Sequence, residues 1–247
     1  MSAVFCGGII FVPGLTYTTD MERKVIEFDG DERKEEYIEK VFRKSHIYFE
    51  KTARGGKTEY TFVCDKATED CIICALICNF YKFNEIMKAF SDVNEKDGAF
   101  YALIGSAIGL DADEDLKNVS SAVRKNAIKN IDGFYNFSIP HIKDGWKNLA
   151  KLTKKLYVQC HDREEVFALC IFLLGIGDTF AETIVISPRK ELYREITNTA
   201  IAVVPFFGES DADLIVTLLS NHPSDVVVSD PSNVSEEVLS VIRALAE

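Results

Sequence analysis

The sequence predicts an α+β fold, made of a mostly helical body, an N-terminal β-hairpin region and a small C-terminal β/α unit. Three observations lead to this prediction. Aromatic and β-branched runs flank Gly55-Gly56, helical periodicity dominates the chain to about residue 176, and short β-branched runs then alternate with amphipathic segments. At 247 residues the chain is long enough for one large domain or two small ones with a sizeable core.

The first predicted elements are a strand, a helix and a hairpin. Residues 3–11 are apolar and predict a buried strand that ends before Pro13. The segment DERKEEYIEKVFRKS predicts a helix, because Tyr37, Ile38 and Val41 fall on one face while charges lie elsewhere. In HIYFEKTARGGKTEYTFVCD the paired glycines supply the positive φ angles that a tight hairpin turn needs.

Helices are predicted for most of the chain between the hairpin and residue 176. Three of them cover residues 68–90, 99–108 and 111–128, with acidic residues or glycine at the expected ends. NIDGFYNFSIP predicts a break, after which Pro140 begins the helix that carries Trp146. HDREEVFALCIFLLGIG predicts a further helix that is very apolar in its second half.

After these helices the pattern changes to that of a small β/α unit. ETIVIS, TAIAVVPF and DVVVSD predict strands, and SDADLIVTLLSNHP predicts an amphipathic helix capped by Ser210 or Asp211. NVSEEVLSVIRALAE predicts a final helix, with Asn233 opening a capping box. No linker separates 1–130, an N-terminal α+β region, from 131–247, a C-terminal helical plus β/α region, so we expect one compact body.

The net charge limits the partners that the sequence predicts. With 28 Lys plus Arg against 39 Asp plus Glu, the chain carries −11 and should repel nucleic acid and anionic lipid. Basic runs are no longer than short pairs such as Lys154-Lys155, so we expect no nucleic-acid partner. No apolar run reaches the ~20 residues that a membrane-spanning helix needs.

The N-terminal segment and the cysteine count predict a cytoplasmic protein. The apolar start has no basic residue before Arg23, so it lacks the positive leader of a signal peptide. Seven cysteines are an odd number, and in a chain of this size they do not suggest the disulfide framework of a secreted protein. We therefore expect a reducing compartment.

The segment DCIICALICNF carries the most conspicuous chemical signal in the chain. Cys71, Cys74 and Cys78 fall within eight positions, and Cys64 precedes them. Four convergent thiolates can bind zinc or an iron–sulfur cluster. On one helix the last three cysteines lie within about 60° of one another, but the residues between them are apolar. This part of the helix is therefore apolar all round and should be buried.

We favour core packing for these cysteines, because free cysteine is among the residues most often buried. A helix interior also has no unused amide N–H groups to offer to cluster sulfurs, and no glycine or proline opens the segment into a loop. This interpretation assigns no metal ligand and no cofactor. The alternative is a metal-dependent or iron–sulfur protein that uses Cys64, Cys71, Cys74 and Cys78.

Other candidate sites are interpreted better as helix ends. Cys160-His161-Asp162 contains a nucleophile, a base and a carboxylate, but catalytic groups must face one another across a site. GLDADEDLKNVSS imitates a calcium loop from Asp111, yet leucine replaces the glycine at its sixth position and alanine the glutamate at its twelfth. With no nucleophile elbow and no phosphate-binding loop in the chain, we assign no catalytic residue.

Four segments in the second half resemble a known family. They are IDGFYNFSIPHIKDGWKNLAKL, DREEVFALCIFLLG, AETIVIS and SDADLIVTLLSNHPSDVVVSD. In the last of them an acidic residue, an apolar helix, Pro223 and a short β-branched strand follow in order. This pattern covers roughly residues 130–247 and is similar to that of YtxC-like sporulation proteins. The resemblance implies a sporulation-associated cytoplasmic protein of undefined biochemistry, and it carries over no catalytic residue.

The sequence thus favours a protein that acts through protein–protein contacts with an unidentified partner, and not an enzyme. The expected contact surface is the solvent face of the helical middle or the exposed edge of the C-terminal sheet. The alternatives are the cysteine-ligated metal protein and an enzyme whose site combines scattered carboxylates such as Glu35, Glu36 and Asp178. The sequence leaves the oligomeric state open.

Overall fold

The structure is a computed structural model that describes residues 21–176, 180–196, 199–203, 210–221 and 223–246. These residues form the predicted α+β fold, with a mostly helical body, a β-hairpin region near the N-terminus and a small C-terminal β/α unit. The strand that the sequence predicts for residues 3–11 lies outside the described residues.

Three antiparallel strands form the first sheet. They are β1 (Glu22–Asp29), β2 (Phe49–Arg54) and β3 (Lys57–Cys64), in the order β1-β3-β2. The predicted hairpin joins β2 to β3, and its turn places Gly55 and Gly56 at φ angles of +60° and +77°. Residues with a side chain rarely adopt such angles, which explains the paired glycines. α1 (Glu32–Lys44) packs its predicted apolar face on this sheet, where Phe42 contacts Tyr60 and Phe62.

Helices dominate the middle of the chain. They are α2 (Lys66–Ala75), α3 (Lys82–Ala89), α4 (Gly98–Gly109), α5 (Ala112–Lys125), α6 (Ile131–Gly133), α7 (Pro140–Tyr157) and α8 (Arg163–Ile176). Two π-helical segments interrupt the series: π1 (Leu76–Tyr81) between α2 and α3, and π2 (Phe134–Ser138) between α6 and α7. The predicted break is present at Ile139, and Pro140 begins α7 as expected, but Asn130 caps a short helical turn earlier in NIDGFYNFSIP that the sequence does not predict. Within the described ranges, every helix is too short or too polar to cross a membrane.

Four strands form the second sheet. They are β4 (Phe180–Ile186), β5 (Leu192–Ile196), β6 (Thr199–Val203) and β7 (Pro223–Val228), in the order β6-β5-β4-β7. β7 pairs with β4 in parallel, and the other pairs are antiparallel. Two helices, α9 (Asp211–Ser220) and α10 (Glu236–Ala246), complete this unit. β4, β6 and β7 coincide with predicted strands, whereas no prediction covers β5.

The starts of α9 and α10 differ in how well the sequence predicts them. The Ser210 hydroxyl accepts a hydrogen bond from the Asp213 amide at 3.2 Å, which confirms Ser210 as the cap of α9. The capping box predicted at Asn233 is wrong, since Asn233 lies in a short 3₁₀ turn. The Ser235 hydroxyl accepts from the Val238 amide instead, so α10 begins later than predicted.

Two hydrophobic cores share the helical middle. The first core lies between the first sheet, α1, α2, π1, α5 and the start of α7. The second lies between α4, α8, α9, α10 and the second sheet. α7 contributes Trp146 to the first core and Ala150 to the second, and the π1–α3 segment contributes Tyr81 and Phe83 in the same way. These two segments therefore connect the cores.

Candidate functional site

The cysteines of the thiol-rich region lie in the first core. Cys64 ends β3, Cys74 lies in α2 and Cys78 lies in π1, and all three are buried, as is Cys170 in the second core. Cys71 is partly buried against the first core. The prediction of core packing is therefore confirmed for these side chains. The part of the chain that the structure describes contains no group of three or more His, Cys, Asp or Glu residues suited to a metal ion.

Burial also sets the protonation state of these thiols. It raises the pKa of Cys64 and Cys74 to about 12, and it raises the pKa of Cys78 well above its ordinary value. Metals and electrophiles react with the thiolate and not with the thiol. A metal or cluster at these positions would therefore have to displace protons that the packed core strongly retains.

π1 is a feature of the thiol-rich helix that the sequence does not predict. At its start, the Tyr37 hydroxyl donates to the Ala75 carbonyl at 3.4 Å and accepts from Asn79 Nδ2 at 2.9 Å. A π-helical turn shifts the backbone hydrogen bonds by one residue, so a carbonyl becomes accessible to another donor. The prediction of one uninterrupted helix is wrong here because that donor comes from α1.

Cys160-His161-Asp162 marks the start of α8, as predicted. The Asp162 carboxylate accepts a hydrogen bond from the Glu165 amide at 2.9 Å. The exposed His161 ring lies 3.1 Å from Glu165 Oε2, and the Cys160 thiol donates to the Leu156 carbonyl at 3.6 Å. The three side chains therefore make separate local contacts at a helix boundary.

The acids of GLDADEDLKNVSS begin α5, but one of them has a second role. Asp113 and Asp115 lie in the first turn of the helix, as predicted. Asp115 is also buried, and its carboxylate accepts hydrogen bonds from Lys82 Nζ at 2.5 Å and from Trp146 Nε1 at 2.8 Å. Asp115 therefore joins α5 to α3 and α7.

Glu35 and Glu36, two of the scattered carboxylates considered for an enzyme site, both lie on α1 but belong to separate ion pairs. Glu35 pairs with Lys51 at 2.8 Å, and Glu36 pairs with Lys40 at 2.9 Å. Neither side chain lines the lysine-rich groove between α3 and α7 that is described next. Asp178 lies outside the described residues.

A groove between α3 and α7 is lined mainly by lysine, and we call it the lysine groove. Its volume is about 610 Å³. Nine residues line it: Glu85, Lys88, Ala89, Lys147, Ala150, Lys151, Lys154, Lys155 and Val158. The alanines are buried or partly buried and give the groove an apolar floor, whereas most of the lysines are exposed at its sides.

The lysines of α7 share one face because helical turns separate them. This face carries Lys143, Lys147, Lys151 and Lys155. They follow one another every four residues, which is close to the 3.6 residues of one turn. A search of the sequence for basic runs misses this face, since the four lysines are never adjacent.

Acidic side chains neutralise only part of the lysine groove. Three of its lysines form ion pairs, namely Lys88–Glu85, Lys147–Asp144 and Lys154–Asp92. Lys151 and Lys155 have no acidic partner among the residues that the structure describes. The groove therefore carries a local positive charge on a chain whose net charge is −11.

Among the nine lining residues, Glu85 is the one acid. Burial would raise the pKa of Glu85, but the hydrogen bond from Lys88 and the nearby Tyr135 hydroxyl outweigh burial and hold the pKa below its ordinary value. The Glu85 carboxylate thus stays charged and holds Lys88 at 2.6 Å. As a result, the uncompensated positive charge of the groove belongs to α7.

The lysine groove combines two kinds of recognition chemistry. Its floor offers apolar contact and its walls offer ammonium groups, so it suits a segment that is apolar on one side and acidic on its flanks. No family model, no curated protein and no solved structure matches this chain.

Proposed function

We propose that this protein acts through protein contacts, and that the lysine groove binds an acidic amphipathic helix of a partner protein. The observation that carries this proposal is the apolar floor beside Lys151 and Lys155, which form no ion pair with any acid in the described part of the chain. The groove lies on the solvent side of α7, within the helical middle. Helix-in-groove binding is a common mode of peptide recognition, in which residues at helical spacing fill an apolar groove.

The dimensions of the groove suit a helix. Ala89 and Ala150 are small, so a docked helix could approach α3 and α7 at the spacing of about 8–10 Å that packed helices adopt. The lysine stems would cover the sides of that helix while their ammonium groups meet its acidic flanks. A partner helix would thus bury apolar surface and satisfy the free charges of Lys151 and Lys155 together.

The lining of the groove favours a protein partner over nucleic acid. Sites for single strands combine basic residues with aromatic side chains that stack on bases, and none of the nine lining residues is aromatic or arginine. The net charge of −11 also opposes the long-range attraction on which nucleic-acid binding depends.

A designed peptide tests the proposal while the natural partner is still unidentified. The probe is a fluorescent helix as long as α7, 18 residues, with a leucine and alanine stripe flanked by glutamate. Its anisotropy should report binding that weakens with salt. Lys151→Glu/Lys155→Glu should weaken this binding by about tenfold or more, because two attractions become repulsions.

Lys117→Glu/Lys125→Glu is the matched control. It also replaces one mid-helix lysine and one lysine of a last turn, on α5, and it makes the same change in net charge. Equal weakening in both double variants would show a general charge effect and would contradict the proposal. Equal binding of a peptide with lysine in place of glutamate would contradict it too. So would tighter binding of an oligothymidylate strand that depends on the same two lysines.

We also propose a cytoplasmic, sporulation-related setting, from the resemblance of residues 130–247 to YtxC-like proteins. Six free cysteines in the described residues support a reducing compartment. The helix–proline–strand order of the resemblance matches α9, Pro223 and β7. A survey of genomes checks this setting: abundant full-length relatives in organisms that never form spores would argue against it.

A further inference from the structure

Among the helices that the structure describes, α8 is the one whose exposed surface is mainly apolar. Ala168, Ile171, Phe172, Gly175 and Ile176 are all exposed, with Phe172 at 58% and Ile176 at 59%. Counted from Ala168, they occupy positions i, i+3, i+4, i+7 and i+8, so they lie on one side of the helix, which we call the α8 face. Contiguous exposed apolar patches mark sites of protein interaction, whereas single exposed side chains do not.

Acidic residues extend the α8 face at its N-terminal end. Glu164 and Glu165 lie about one turn before Ala168, on the same side of the helix, and both are exposed. Glu164 forms no ion pair with a residue that the structure describes, and the Glu165 carboxylate accepts a hydrogen bond from the His161 amide at 2.6 Å. The α8 face therefore combines an acidic end with an apolar stripe.

The α8 face has the chemistry that the lysine groove requires. We assign to the groove a helix that carries apolar side chains and carboxylates, and this chain presents such a helix on its own surface. The acidic end of the α8 face would meet Lys151 and Lys155, which lack acidic partners in the described part of the chain. Its apolar stripe would lie on the floor that Ala89 and Ala150 form.

The two surfaces also match in length. The α7 side of the groove extends from Lys147 to Val158, which is about 17 Å along a helix. The α8 face extends from Glu164 to Ile176, which is about 18 Å. Val158 is exposed at the end of the groove and adds apolar surface to it. One helix of this length would therefore cover the groove from end to end.

These two surfaces can meet only between two copies of the chain. The opposite side of α8 buries Val166, Phe167, Cys170 and Leu173 in the second core. The α8 face consequently points away from the body of its own chain. A helix held in this way cannot turn into a groove on the same body, so the contact requires a second copy.

We propose that this protein self-associates by docking the α8 face of one copy in the lysine groove of another. The inference rests on the proposed function of the groove and names its partner, a second copy of this chain. The two surfaces differ, so the contact is heterologous. A two-fold pair of copies forms it twice and closes as a dimer, whereas a one-way contact continues into a ring or a filament.

Sedimentation velocity of the full chain tests this contact by charge reversal. Because the contact is small, we expect a dissociation constant of about 10 μM, so the mean mass should rise over concentrations from about 1 to 200 μM. Lys151→Glu/Lys155→Glu and Glu164→Lys/Glu165→Lys should each weaken association by about tenfold or more. Glu164→Lys alone should act in the same direction. An equimolar mixture of the two double variants should associate again, because opposite charges then meet across the contact.

Two matched variants control for the general effect of charge. Lys117→Glu/Lys125→Glu reverses two lysines of α5, and Asp113→Lys/Glu114→Lys reverses two adjacent acids in the first turn of that helix. Both should associate like the unmodified chain. Equal weakening in these controls would overturn the proposal. Thermal unfolding checks that every variant folds.

Phe172→Ser tests the apolar part of the contact. It should weaken association by about tenfold, whereas Phe137→Ser, at an 84% exposed position of π2, should not. In dilute protein both changes should leave the midpoint of thermal unfolding within about 2 °C, because both side chains are exposed. A large loss of stability in Phe172→Ser would show that the same chain already covers the α8 face, and it would overturn the proposal.

The designed acidic peptide separates failure of this inference from failure of the proposed function. Recovery of association in the charge-reversed mixture, and dissociation of the unmodified assembly by the peptide, would support both. If the peptide binds the groove while the chain stays monomeric at about 200 μM, the groove serves another protein and this inference alone fails. If the chain associates regardless of the lysine and glutamate reversals, this inference also fails. If the peptide does not bind and the chain is monomeric, both fail.

Discussion

Replacing Lys82 with methionine should lower the free energy of unfolding by about 3 kcal/mol. The Lys82 side chain is 1% exposed and contacts Asp115 Oδ2, which also accepts the Trp146 hydrogen bond. Methionine keeps most of the length and packing of the side chain. Removing one partner of a buried ion pair costs about 3–5 kcal/mol, because the other charge is left uncompensated. Because the Asp115 carboxylate keeps its hydrogen bond from Trp146 in this variant, we expect a cost at the lower end of that range.

Asp115→Asn is the matched change on the other side of the pair. It leaves the buried Lys82 ammonium group without a counter-charge, so we expect a cost of about 4 kcal/mol. Lys82→Met/Asp115→Asn removes both charges together. This double variant should be more stable than the sum of the single changes predicts, by about 2 kcal/mol.

Urea unfolding at neutral pH measures these differences. Trp146, the single tryptophan of the chain, reports on the site by fluorescence, and far-ultraviolet circular dichroism reports on the whole fold. Lys117→Met, at an exposed position of α5, is the control and should change stability by less than about 0.5 kcal/mol. A cost below about 1 kcal/mol for Lys82→Met, or strict additivity in the double variant, would refute the reasoning.

Three further predictions concern packing, pH and thiol reactivity. Gly105→Ala should lower the free energy of unfolding by about 1–3 kcal/mol, because the new Cβ would lie 2.9 Å from atoms of α9. Gly145→Ala places its Cβ in open space and should raise the free energy of unfolding by up to about 1 kcal/mol. Thermal unfolding measures both variants. Burial would raise the pKa of Asp132, but its hydrogen bonds outweigh burial and lower that pKa. The ionised Asp132 carboxylate therefore stabilises the fold above the unfolded-state pKa of about 3.9, and this stabilisation is lost as the pH falls through the lowered pKa of the folded state. Asp132→Asn should make the loss of stability at acid pH less steep, as measured by urea unfolding over a range of pH. An unchanged pH dependence would contradict this. Iodoacetamide should label the partly exposed Cys71 and Cys160 in the folded protein and the four buried thiols only in urea, as read by peptide mass mapping. Stoichiometric zinc or iron in protein purified without oxygen would contradict the core interpretation of the cysteines.

Elements whose causes lie within a few residues are predictable from the sequence. Gly55-Gly56 determine the hairpin because only glycine readily adopts their φ angles. Ser210 caps α9 through an amide three residues away. The burial of Cys74 and Cys78 follows in the same way, since their neighbours in the chain are apolar on every side of the helix.

Features that depend on distant partners are not predictable in this way. π1 begins where Tyr37 reaches the Ala75 carbonyl across 38 positions of the chain. Asp115 resembles an ordinary acid of a first helical turn, yet Lys82 and Trp146 bind it from 33 and 31 positions away.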